Sequence, residues 1–234
     1  MIKSIVIMGF DVKITTRISV LDLIFPHHCK ICGKIGAILC ERCKKDIIFG
    51  EENVCPICHK KIIRKCDECE NELDATFMTG YKEQRIGKIV RDYKFKAIKS
   101  LGPELAEIIE RRMPVILGEV VVVPLPTAYK HIRARGFDHT LVLARELAKR
   151  RGWECNSLLV RAKDTVQVGS SAKERVKQAN EAYELKGSVE ANKTYLLVDD
   201  VWTTGASMMA ATKILRAAGA EKVMAAVIVL SRNK

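Results

Sequence analysis

Eight of the nine cysteines lie between Cys29 and Cys69, in four CxxC pairs. Cys29/Cys32 and Cys40/Cys43, seven residues apart, are matched 26 positions later by Cys55/Cys58 and Cys66/Cys69 with the same separation. A CxxC turn lets two thiolates grip one ion from one loop, and two such turns complete a tetrahedral site. Gly33 follows the first pair, where a tight turn favours a residue without Cβ. Lys30, Lys34, Lys44 and Lys45 flank the first half and Lys60, Lys61, Arg64 and Lys65 the second, placed to offset thiolate charge. A two-residue spacer makes a strained disulfide, and iron–sulfur sites commonly have less regular spacings than a duplicated quartet. The expectation is structural zinc, about two ions. Local pairing gives Cys29/Cys32/Cys40/Cys43 and Cys55/Cys58/Cys66/Cys69; a crossed arrangement exchanges the middle pairs. The duplication favours the local one. So small a module buries little apolar surface, so metal binding supplies most of its folding energy.

The 234 residues suffice for one ordinary domain beside this module. The expected division is a lead-in over 1–28, the cysteine module over 29–74 and an α/β domain over 75–234. No run approaches the ~20 apolar residues of a membrane span. Ile2–Phe10 is apolar but short, with no small-residue cleavage site after it, so it does not read as a signal peptide, and a cytoplasmic protein is expected. The net charge is +12, from 40 Lys+Arg against 28 Asp+Glu; residues 1–74 hold 12 and 11 of these, so +11 belongs to the remainder. Such a basic domain suits a phosphate-rich ligand or a nucleic-acid backbone, and charge alone does not choose between them.

Over 81–113, Ile86, Ile89, Val90, Tyr93, Leu101, Leu105, Ile108 and Ile109 recur at helical spacing, with a break expected near Gly102-Pro103. Strand and helix then alternate: strands at Val120–Val123, Tyr195–Val198 and Val223–Leu230, helices at Phe137–Arg151 and Ser207–Ala218. This is an open α/β sheet, whose ligands sit at the carboxyl ends of the strands. One strand emerges into Asp199-Asp200-Val-Trp-Thr203-Thr204-Gly205-Ala206-Ser207. Hydroxyls and the N–H groups of a helix start make a phosphate cradle. Two carboxylates repel a phosphate, so they should meet sugar hydroxyls or Mg²⁺; a sugar phosphate satisfies both halves. Helix capping alone needs one Asp, and no GxGxxG follows a strand as a dinucleotide site requires. Another strand runs through Pro124-Leu-Pro126 into a loop with Lys130, His131, Arg133 and Arg135, cations suited to a polyanion or to solvent. His131 is the one histidine read as near these motifs, and as a loop residue first.

At these residues the chain resembles the ComF family of phosphoribosyltransferase-like proteins. The resemblance rests on the double cysteine ribbon, Tyr81 with Lys94-Phe95, Pro124-Leu-Pro126 with Arg135-Gly-Phe137, the series Arg161, Thr165, Gln167, Arg175 and Asn180, and above all Val198–Ser207. It departs at Asp138-His139, where the family has Asn-Gln, and in a one-residue-shorter Thr165–Gln167 spacing, both on the acceptor side. The resemblance implies a type I phosphoribosyltransferase fold, an open, mostly parallel sheet flanked by helices, behind a zinc-ribbon module. It implies that Asp199 and Asp200 meet the ribose hydroxyls of 5-phosphoribosyl-1-pyrophosphate and that Thr203, Thr204, Gly205, Ala206 and Ser207 hold its 5′-phosphate. Lys130, Arg133 and Arg135 would face pyrophosphate, and 161–180, with Arg161, Gln167 and Arg175, would form a closing flap. Mg²⁺ would bridge pyrophosphate and ribose oxygens, and an unidentified nitrogenous acceptor would displace pyrophosphate; the residues name no general base. The resemblance also implies a link to DNA uptake in competence, with single-stranded DNA or DNA-processing proteins as partners, or to nucleotide salvage. A non-catalytic phosphoribosyl sensor and a DNA-handling zinc-ribbon protein stay open as alternatives.

Elemental analysis of the purified chain should give about two zinc ions per chain, from eight thiolates at four per site. Iron, or no metal, would contradict the assignment.

Overall fold

The computed structural model describes residues 26–50, 53–69, 72–162 and 183–231. Its centre is a five-stranded, wholly parallel sheet in the order β1-β7-β6-β2-β3: β1 Ala75–Tyr81, β2 Val120–Pro124, β3 Glu154–Cys155, β6 Thr194–Trp202 and β7 Lys222–Leu230. A short antiparallel pair, β4 Leu159–Arg161 and β5 Tyr183–Leu185, stands apart from it. The helices are α1 Glu41–Gly50, α2 Arg85–Phe95, α3 Leu101–Arg112, α4 Tyr129–Arg135, α5 His139–Arg151 and α6 Ala206–Ala217.

Alternate residues of the central strands feed opposite faces of the sheet, as the two-residue period of a strand demands. Val120, Val122, Leu196 and Val198 pack with α2, α3 and α5. Val121, Val123, Tyr195 and Leu197 pack with α6 and with Leu159 and Tyr183 of the β4–β5 pair. After β2 the chain crosses to β3 on one side and later returns to β6 on the other. The crevice at the carboxyl ends of β2 and β6 is therefore the switch point of the sheet, where ligands of such folds bind.

The expected strands and helices are present, with four corrections. Ala75–Tyr81, all seven residues buried, is a strand, although Thr and Gly interrupt any β-branched run in it. The break in the first helical stretch lies at 96–100. Gly102 and Pro103 sit in the first turn of α3, where a missing N–H costs nothing, and a Cβ on Gly102 would come 2.8 Å from the Val142 side chain of α5. β6 continues through Asp199 and Asp200 to Trp202, because parallel pairing with β7 persists to Trp202↔Leu230. The basic stretch after β2 is a helix, α4, and not a loop.

The cysteine module is fastened to the sheet in two ways. Cys29, Leu39, Cys43, Ile47 and Ile48 belong to the same apolar cluster as α3 and β1. Beside them Lys44, 7% exposed, is ion-paired to Glu104 at 2.5 Å and Glu107 at 2.8 Å, both on α3. Lys60 pairs with Glu68. Two of the cations expected to offset thiolate charge are thus engaged by carboxylates. The module also covers the outer edge of β1. Thr76 N donates to Arg64 O at 2.9 Å, Asn53 Nδ2 to Thr76 O at 2.9 Å, and Met78 N to Asn53 Oδ1 at 3.3 Å. One side-chain amide stands in for a neighbouring strand and blunts an edge otherwise open to pairing with another chain.

Asn53→Ala should lower stability by about 1–3 kcal/mol, the cost of leaving strand-edge groups without partners, with zinc content unchanged. Urea unfolding would show this as a lower midpoint; an unchanged midpoint would mean that water serves the β1 edge equally well.

Candidate functional site

The eight cysteines form two clusters, Cys29/Cys32/Cys40/Cys43 and Cys55/Cys58/Cys66/Cys69, with the sulfur atoms of each within 4.8 Å of one another. This is the local pairing. Four thiolates at that separation suit tetrahedral zinc. Backbone N–H groups already point at sulfur, Cys40 N to Cys29 Sγ at 3.5 Å and Ile57 N to Cys55 Sγ at 3.4 Å. Burial pushes the Cys29 thiol up, but backbone donors at Cys32, Cys40 and Ile31 outweigh it and bring it down to about 6, within reach of the metal-binding thiolate.

The second site lies at the switch point. Asp200 is 1% exposed, and Lys94 Nζ of α2 stands 3.0 and 2.9 Å from its two carboxylate oxygens. His139, the first residue of α5 and 4% exposed, places Nε2 3.4 Å from Asp200 Oδ2. Arg135 of α4 lies 2.7 Å from His139 Nδ1. A guanidinium only donates, so Nδ1 accepts and the ring proton sits on Nε2, facing Asp200. Tyr93 OH donates to His139 O at 2.7 Å, and the Asp138 carboxylate caps α5 by accepting from Thr140 N and Leu141 N. Burial raises Asp200, but the imidazole of His139 and the ammonium of Lys94 outweigh it and hold the carboxyl below its usual range. Asp199 goes the other way, raised by burial and by the charge of Asp200.

Beyond the carboxylates β6 turns at Thr203, Thr204 and Gly205, and α6 starts at Ala206. Gly205 has φ +77°, and a Cβ there would lie 2.5 Å from the Trp202 ring, so only glycine fits. Ala206 N, the first of α6, donates to Thr204 Oγ1 at 3.4 Å, and the N–H groups that follow it at the helix start suit an anion. Asp199, Asp200, Thr203, Gly205 and Ser207 line one cavity of about 290 Å³.

Of the expected ligand residues, the structure brings together both carboxylates and the 203–207 turn. The α4 cations do not line that cavity: Lys130 and Arg133 are exposed, and Arg135 is taken by His139. Arg161 of β4 lies with its guanidinium 5.7 Å from the Tyr183 ring and lines a separate cleft of about 480 Å³ with Leu125, Tyr129 and Asp138. Gln167 and Arg175, with Thr165 and Asn180, lie outside the described residues, as does Ile2–Phe10. The histidine of the site is His139, not His131. Its signal in the sequence is the departure from the family pattern at Asp138-His139. Tyr183 was also missed. Burial raises its hydroxyl, while Ser207 and the Arg161 charge pull the other way, tying β5 to the phosphate-type turn.

Family comparison agrees with this arrangement. Residues 138–234 match the phosphoribosyl transferase domain, and 20–71 match the double zinc ribbon domain. A parallel sheet ending in two carboxylates and a hydroxyl turn, behind paired cysteine ribbons, defines a protein of the type I phosphoribosyltransferase fold with an N-terminal zinc-ribbon module. Competence protein F of Haemophilus influenzae is 24% identical over 79% of this chain and 93% of its own length. Competence protein ComFC of Streptococcus pneumoniae is 27% identical over 79% and 84%. The two matched domains and these relatives together support a ComF family protein. The adenine phosphoribosyltransferase of Leishmania tarentolae superposes at a TM-score of 0.38, with 16% identity, over 61% of this chain and 75% of that one, a likeness too low to add weight. Among the described residues, no helix is long and apolar enough to cross a membrane.

Gly205→Ala should cost about 1–2 kcal/mol from the left-handed backbone alone, with a further loss as the Trp202 ring is displaced. A lowered urea midpoint together with a shift in tryptophan emission would report it; wild-type values for both would show that the turn tolerates a side chain.

Proposed function

We propose that the chain binds 5-phosphoribosyl-1-pyrophosphate, or a closely related sugar phosphate, in the cavity at the end of β6 and transfers the phosphoribosyl group to a nitrogenous acceptor. The observation that carries this is the continuity of the two halves: Asp199 and Asp200 run directly into the Thr203–Ser207 turn and share one cavity with it. The N–H groups at the start of α6 and the Thr203, Thr204 and Ser207 hydroxyls suit the 5′-phosphate, and the carboxylates suit vicinal ribose hydroxyls, which donate hydrogen bonds. In transfer the bond from the anomeric carbon to the pyrophosphate oxygen breaks, pyrophosphate leaves with the electron pair, and a C–N bond forms as the acceptor nitrogen gives up a proton. Binding both partners in line and neutralising the leaving group would supply most of the acceleration.

Asp199 and Asp200 also fit a hard, oxygen-seeking cation, whereas His139, with its proton on Nε2, offers that cation nothing. Mg²⁺ held there would neutralise pyrophosphate oxygens. We read 29–74 as the ribbon module and 75–234 as the phosphoribosyl domain of a cytoplasmic protein. The relatives' names support a role in competence, and we propose single-stranded DNA or DNA-processing proteins as partners. One observation favours a sensor without turnover: the buried histidine has Nδ1 already engaged by Arg135 and so is no free general base.

Phosphoribosyl pyrophosphate with Mg²⁺ should stabilise the zinc-loaded protein, by about 2.7 kcal/mol at a hundredfold excess over Kd. Asp199→Asn with Asp200→Asn should remove most of that shift, and Thr204→Val should weaken it by about 1–3 kcal/mol. Thermal shift measures the first effect and pyrophosphate release separates enzyme from sensor. Equal shifts in the wild type and the double variant would place the ligand elsewhere.

A further inference from the structure

The cavity has a wall, on α2 and the turn before it, to which no ligand contact has been assigned. Gly87, Val90, Arg91 and Lys94 of α2 all line it, and their spacing of i, i+3, i+4 and i+7 makes them one face of the helix. Lys82, on the turn before α2, lines it too. Gly87 is what lets that turn lie so close: a Cβ there would be 1.9 Å from the Lys82 carbonyl oxygen. Three cations from one segment thus face two carboxylates and a hydroxyl turn across about 290 Å³.

Their charges are not equally committed. Lys94 is held by both oxygens of Asp200. Lys82 and Arg91 are exposed, and among the described residues neither side chain makes an ion pair or hydrogen bond. A phosphate or pyrophosphate entering a cavity that already holds Asp199 and Asp200 meets repulsion, and of the N–H groups at the start of α6 the first is already given to Thr204 Oγ1. Two uncommitted cations on the facing wall change that balance, and a guanidinium can pair with phosphate oxygens two at a time.

We propose that Lys82 and Arg91, with Lys94 beside them, bind the phosphate-bearing part of the ligand, so that the anion-neutralising cations of this site come from α2 and the turn before it, not from α4. Lys94 bridges the two functions, keeping Asp200 ionised for the sugar while adding positive potential to the anion's side of the cavity. The assignment rests on the sugar-phosphate reading for its ligand, but inorganic pyrophosphate can probe it without the sugar.

The test is calorimetric titration of the zinc-loaded full chain with inorganic pyrophosphate and, separately, with phosphoribosyl pyrophosphate. Lys82→Gln with Arg91→Gln should weaken both at least tenfold, with far-UV circular dichroism unchanged because both residues are exposed. Lys149→Gln with Lys186→Gln removes the same charge at a distance and should weaken them less than twofold; if it weakens them equally, only net charge is at work and the proposal falls. It falls as well if the Lys82/Arg91 variant binds pyrophosphate like the wild type, or if Lys130→Gln with Arg133→Gln carries the loss instead. Phosphoribosyl pyrophosphate binding no tighter than pyrophosphate in the wild type would end the sugar reading, while a loss in the Lys82/Arg91 variant would still uphold the anion wall. If neither anion binds the wild type, both readings end.

Discussion

A carboxylate as buried as Asp200 must be compensated, and the means of compensation organises the carboxyl end of the sheet. An unpaired charge at that depth costs several kcal/mol, and removing one partner of such a pair commonly costs about 3–5 kcal/mol. Lys94 brings in α2, His139 brings in the start of α5, and through His139 the guanidinium of Arg135 fixes the end of α4. Tyr93, one residue before Lys94, holds the His139 carbonyl from the other side. The carboxylate proposed to meet the sugar is therefore also the point at which β6, α2, α4 and α5 are registered against one another.

The cysteine module adds a second constraint at the β1 edge of the sheet. Parallel strands need both faces covered and both edges managed. β3, two residues long, ends one edge simply by being short. β1 is a full strand, and its outer edge is closed by Asn53 and Arg64 of the second ribbon while Arg112 of α3 donates to Met78 O and Ile48 O. Lys44 ties the first ribbon's helix to α3 through Glu104 and Glu107. The two clusters of thiolates thus sit in a module that shares a core and a sheet edge with the α/β domain, so that metal binding there would stabilise more than the ribbons themselves.

Much of this was legible in the residues because it is local. CxxC spacing, the run Val120–Val123 and the passage from Tyr195 into Asp199, Asp200 and the Thr203–Ser207 turn each carry their chemistry within a dozen positions. The partners of those groups were not legible, because they come from distant segments. Lys94 lies 106 positions before Asp200, and Asn53 has no motif that marks it as a surrogate strand. His139 was visible only as an oddity beside Asp138. The placement of the cations after β2 was hidden for the same reason: their composition suits a polyanion, and only the fold shows that helix α4 exposes Lys130 and Arg133 and sets Arg135 against the histidine.

By itself the sequence determined the metal chemistry, the alternation of strands and helices and the loop where a sugar phosphate would sit, since each follows from residue types at short, fixed spacings. Only the tertiary structure decided which strand edge the ribbons close, which lysine holds Asp200, and which wall of the cavity carries free positive charge. Those outcomes depend on how parallel strands far apart in the chain are ordered in the sheet and on the requirement that a buried carboxylate find its counter-charge wherever the fold brings one near.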